Sequence, residues 1–112
     1  MASKKIDELQ LSYMVAAVGI DEIERLLDKY SHDFNSSAEE LRIAGEKGNA
    51  VEFGRAIHAL KGVSSNFGFS AITFYLDQMT TEASHLDIDL KGLEREVEDS
   101  LRKARELVLS FN

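Results

Sequence analysis

With no cysteine in its 112 residues, this sequence offers three histidines as its best-suited nucleophiles or metal ligands. A neutral imidazole, whose ordinary pKa is about 6.5, keeps a lone pair for attack on phosphorus or for binding a metal ion. His58 is set apart by its neighbours. At about 100° per residue, Phe53, Ala56, Ile57, Leu60, Ser64 and Phe67 gather on one side of a helix, and His58 falls almost opposite them. Gly54, Lys61, Gly62 and Ser65 share that outer face with it. Each glycine in a helix costs about 1 kcal/mol relative to alanine, and a plain solvated face would carry Glu, Lys or Gln instead. Two explanations fit. In one, the glycines, one turn before and one turn after the ring, let a partner's backbone or a phosphoryl group reach it, with Lys61 offering an ammonium to the phosphoryl oxygens. In the other, they permit close helix packing and His58 is incidental.

The remaining histidines carry weaker patterns. Glu82-Ala83-Ser84-His85 has the Glu-x-x-His spacing that places two metal ligands on one helix face in di-iron bundles. Such a site needs a second Glu-x-x-His and two further inward glutamates, and the sequence has neither that repeat nor a His-x-x-x-His pair. His85 therefore reads as a solvent-facing residue near Asp87 and Asp89, with no metal site expected. His32, beside Asp33 and between Tyr30 and Phe34, reads as a partly exposed polar position.

The elements that hold these residues must be helices. Proline is absent, where average usage is about 5% and helix interiors tolerate it least. Glycines and capping residues divide the chain into five stretches. The first runs from about Lys4 to Val18, with a stripe of Ile6, Leu9, Tyr13, Met14 and Ala17, and ends at Gly19. Asp21, with Glu24 as a capping box, opens the second. Its stripe of Ile23, Leu26, Leu27, Tyr30, Phe34, Ala38, Leu41 and Ala44 reaches Lys47, a span of about 40 Å. Asn49, with Glu52, caps the third, which carries His58 and closes at Gly68. Ile72, Leu76, Met79, Ala83 and Leu86 mark the fourth. After a short Asp87-Ile88-Asp89 connection, Leu93, Val97, Leu101, Ala104, Val108 and Phe111 mark the fifth. Short connections between long amphipathic helices favour antiparallel neighbours. The expected fold is thus all-α: an antiparallel up-down-up-down four-helix bundle over residues 21–111, with an additional short N-terminal helix over residues 1–19, forming one domain.

Composition narrows the functional classes. Twenty acidic against 13 basic side chains give a formal charge of −7, which argues against a phosphate-tracking surface for nucleic acid or an anionic membrane. No apolar run approaches the ~18 residues of a membrane span, and no signal-peptide pattern opens the chain. A cytoplasmic domain without membrane insertion is expected. There is no glycine-rich loop followed by Lys and Ser or Thr, so ATP is not the expected phosphoryl donor.

His58-Ala59-Leu60-Lys61-Gly62-Val63-Ser64-Ser65-Asn66-Phe67-Gly68 resembles the His-x-x-Lys-Gly-x-x-x-x-x-Gly signature of histidine-containing phosphotransfer (HPt) domains of multistep two-component phosphorelays. The likeness extends to the long acidic-capped helix from Asp21, the Gly48-Asn49 break, and the apolar series after Gly68. It implies that His58 is the phosphoacceptor, taking a phosphoryl group from a receiver-domain aspartyl phosphate and passing it to another receiver. Lys61 would then be the cation that stabilises the phosphoryl group, Gly62 the small residue beside the ring and Gly68 the turn residue. Ser65 would either bond the phosphoryl group or cap its helix, and Gly54 is consistent with steric access without defining the family. Thr80 departs from the pattern, since family members often carry glutamate there. The implied partners are response-regulator receiver domains, a hybrid sensor kinase, or both. No cofactor is implied in the chain itself, because Mg²⁺ would come with the receiver. Receivers would dock on an apolar patch for which Val18, Ile20 and Phe69 are candidates, although Phe67 and Phe69 fit a core equally well. An adaptor that binds a receiver or kinase without being phosphorylated, and a metal-binding bundle around Glu82 and His85, are the competing readings.

Overall fold

The computed structural model describes residues 5–81 and 90–111. These form five helices: α1 (Glu8–Val18), α2 (Ile20–Lys47), α3 (Ala50–Asn66), α4 (Ser70–Thr81) and α5 (Leu90–Ser110). Among the described residues there is no strand. Helix α2 packs on α3 and α5, and α4 does the same, so the four long helices close a ring around one core, while α1 packs against α2, α3 and α5.

The long helices follow their apolar stripes. All of the α2 series is buried except Leu26, which is half-buried, and Phe53, Ala56, Ile57, Leu60 and Ser64 of α3 turn inward together with Phe67. Ile72, Leu76 and Met79 of α4 meet Leu93, Val97, Leu101, Ala104 and Val108 of α5 in the same core. Repeats of three and four residues keep one face of a helix in register with the interior over several turns, so burial removes a continuous stripe from water. Asn49 caps α3, its side chain accepting a hydrogen bond from the Glu52 amide at 3.1 Å. Gly48 ends α2 in the left-handed conformation at φ 66°.

Three expectations are corrected here. Helix α1 begins at Glu8 and buries Leu11 and Val15, whereas Leu9 and Tyr13 are exposed at 61% and 62% and Ala17 is exposed as well. The segment is apolar on nearly every side, so periodicity selected no face and packing chose one. Asp21 is not a cap. Helix α2 starts at Ile20 behind Gly19, which has φ 89° and joins α1 to α2 directly, leaving Asp21 and Glu22 in the first turn, where they oppose the helix dipole's positive end. Finally, Phe69 is fully buried and Ile20 half-buried, which leaves Val18 as the exposed member of the expected docking patch.

Aromatic residues anchor the turn between α3 and α4. Phe67 and Phe69 stack at 5.3 Å, and Tyr30 of α2 sets its ring edge-on to both, at 5.5 and 5.1 Å. The Tyr30 hydroxyl shares a 2.7 Å hydrogen bond with the Ser64 hydroxyl, which satisfies two buried polar groups at once. Burial pushes the Tyr30 phenol up to about 12 despite that bond. From outside, the segment before α1 straps the same turn: the Asp7 amide donates to the Gly68 carbonyl at 2.7 Å, and the Ala71 amide donates to the Lys5 carbonyl at 3.1 Å. The Lys5 ammonium then pairs with Glu96 of α5.

Candidate functional site around His58

His58 stands near the middle of α3 on the face turned away from the core, and its side chain is exposed. The helix is held on two sides. Its inner face is locked into the core by Phe53, Ile57 and Leu60, and its C-terminal end is held by the aromatic cluster beneath Phe67. The imidazole is therefore mounted on a rigid element while the ring itself meets solvent.

The two flanking glycines behave alike. At either Gly54 or Gly62, a Cβ would meet nothing within 4 Å beyond its own stretch of helix backbone. Among the described residues no neighbouring helix needs the space, so close packing there does not account for them. Each lies about one turn from His58 along the outer face, and together they leave the ring approachable from above and below. Gly68 is of another kind. It lies beyond the helix end at φ 75°, and a Cβ there would come within 2.6 Å of the Asp7 carbonyl oxygen. Its requirement is internal, as expected for a turn residue.

Lys61 lies one turn after His58 and is half-buried in the seam between α3 and α4, where its ammonium pairs with Asp77 of α4. Nothing in the sequence pointed to Asp77, because the pairing depends on how α4 packs beside α3. Ser65 is exposed further along the same face, and its carbonyl accepts the Gly68 amide at 3.0 Å. Two large apolar side chains beside this face were also missed: Val51 at 69% exposure, seven residues before His58, and Phe74 at 57%, one turn before Asp77 on α4. Their signal was present as apolar residues outside the core stripe.

The other histidines are not part of this site. His32 is exposed on α2 beside Asp33, whose carboxylate pairs with Lys29 at 2.7 Å. Glu82, His85, Asp87 and Asp89 lie outside the described residues, as do Ala83, Leu86 and the side chain of Thr80. Among the described residues no group of three or more His, Asp or Glu side chains is arranged to hold a metal ion. Among them, too, no helix is long and apolar enough to cross a membrane.

No protein-family model matches the chain, and no curated protein matches it by sequence. A solved structure does match: the crystal structure of histidine-containing phosphotransfer protein B (HptB) from Pseudomonas aeruginosa PAO1, with a TM-score of 0.72 over 97% of this chain and 95% of that one. Sequence identity between the two is 23%. An exposed histidine on an outer helix face, in a ring of four helices with a fifth packed against it, is thus carried on the fold of HptB, and that shared fold is what the likeness establishes.

Proposed function

We propose that this chain is a histidine phosphocarrier of a two-component phosphorelay, an HPt domain in which His58 receives a phosphoryl group from the aspartyl phosphate of one receiver and hands it to another. The observation that carries this reading is the open ground around His58. An exposed imidazole has a glycine one turn away on each side, and no contact among the described residues explains either glycine. The His-x-x-Lys-Gly spacing and the fold shared with HptB support the same reading. The reading takes the helical ring as an up-down-up-down antiparallel bundle with α1 set across an end or flank, one domain working in the cytoplasm.

The chemistry asks little of the carrier. In the neutral ring, Nε2 is the outer nitrogen of a side chain standing off the helix, and its lone pair forms the N–P bond. The P–O bond to the donor carboxylate breaks, the electron pair leaves with that carboxylate, and Nδ1 keeps its hydrogen throughout. Lys61 contributes one positive charge near the phosphoryl oxygens. The receiver brings Mg²⁺ and its own cationic groups, so most of the charge compensation for phosphoryl transfer arrives with the partner. The chain acts as a carrier, with no ATP-dependent kinase activity of its own.

The test is direct. Receivers of the same organism, phosphorylated with a labelled phosphoryl group on aspartate, are mixed with the chain. Label should pass to the wild type and not to His58→Gln. Equal labelling of both proteins, or of neither, defeats the proposal. Binding of a receiver without any transfer would support an adaptor instead.

A further inference from the structure

The Lys61–Asp77 pair bears on the phosphohistidine itself. Asp77 is an anion from α4 that holds the ammonium of Lys61, one turn after His58 on α3, before any phosphoryl group is present. The two side chains are 34% and 55% exposed, in the range where an ion pair is weak and exchangeable. A phosphoryl group on Nε2 would bring oxygens of higher charge to the same ammonium, and charge-assisted bonds to phosphate are stronger than those to an exposed carboxylate. Both anions cannot hold the ammonium equally well.

We infer that Asp77 is a positioning residue that competes with the phosphoryl group for Lys61 and so keeps phospho-His58 less stable, and more readily discharged, than the histidine and lysine alone would make it. The inference rests on the reading of His58 as phosphoacceptor. In the unphosphorylated protein the ammonium is kept in the α3/α4 seam by Asp77. On phosphorylation it turns to the phosphoryl oxygens, so the Lys61–Asp77 pair is given up and a second anion is added on the same side of the bundle as Asp77. Both consequences act against the phosphorylated form. Asp77 is an exposed residue of α4, so replacing it does not disturb the core.

Phosphoramidate can test this without any receiver. Its phosphoryl group moves to Nε2 as the P–N bond breaks and ammonia departs, so no other reactant is required. The full-length wild type, Asp77→Asn and Asp33→Asn are brought to equilibrium at a fixed ratio of phosphoramidate to ammonia. The fraction phosphorylated at His58 is then read by ³¹P NMR and intact mass. Asp33→Asn breaks a similar exposed pair, with Lys29 on α2, and serves as the control for net charge. The phosphorylated-to-free ratio should rise about three- to fivefold in Asp77→Asn, the scale of a weak ion pair, and stay at the wild-type value in Asp33→Asn. An unchanged or lower ratio in Asp77→Asn overturns the inference, as does an equal rise in both variants. If His58 takes no phosphoryl group in any of the proteins, the carrier reading itself fails, and this inference with it.

Discussion

Gly54 and Gly62 on one side and Gly68 on the other show how one residue type answers two different demands within a short stretch of chain. At Gly68 the reason lies inside the molecule: the backbone is left-handed and the Asp7 carbonyl occupies the place of a side chain. Removing that glycine would force the strap formed by residues 5–7 off the turn. At Gly54 and Gly62 the backbone is ordinary helix and no described residue occupies the place of a side chain. Here the fold gains nothing from glycine and gives up about 1 kcal/mol of helix propensity at each position. Under the proposed function, that concession has a use: it leaves room for a partner to come close to His58. The contrast therefore separates a glycine kept for folding from glycines that leave an approach open.

The comparison can be broken at its strongest point first. Gly68→Val places a branched side chain at positive φ and against backbone, and should lower stability by about 3 kcal/mol in urea denaturation. A loss below about 1 kcal/mol would mean that the strap yields easily. Gly62→Glu should instead leave the circular dichroism and the unfolding midpoint nearly unchanged while slowing phosphoryl transfer from a receiver by about a hundredfold, close to 2.7 kcal/mol of barrier. Loss of helical signal in that variant would return Gly62 to the same class as Gly68. The smallest effect is the sharpest. Gly54→Ala and Gly62→Ala should each raise stability by about 0.5–1 kcal/mol, because the helix accepts the methyl group and the unfolded chain becomes less flexible. Destabilisation in either would show that the chain needs that glycine after all.

Much of the fold was legible because it repeats. The stripes of α2 and α5 hold a period of three and four over many turns, and every residue in them is buried or packed against the core. The inner face of α3 was equally clear, and with it the outward direction of His58. Where the pattern was uniform or interrupted, reading failed. Helix α1 is apolar on most sides, so its true face, Leu11 and Val15, did not stand out. Around the α3–α4 turn the period stops, and only packing against Tyr30 decided that Phe69 belongs inside. The start of α2 was misplaced because a capping box at Asp21 and a glycine hinge at Gly19 both fit the local sequence, and only the hinge lets α1 run straight into α2.

The residues alone determined that the chain is helical, where its long helices turn inward, and that His58 shares an outer face with Lys61 and two glycines, since each of these follows from spacing within a few turns. Tertiary structure decided that the two glycines are open while Gly68 is occupied, that residues 5–7 brace the turn, and that the ammonium of Lys61 rests on Asp77. Those outcomes depend on which helices become neighbours and at what height, and that is set by the packing of the whole core, beyond the reach of any local period.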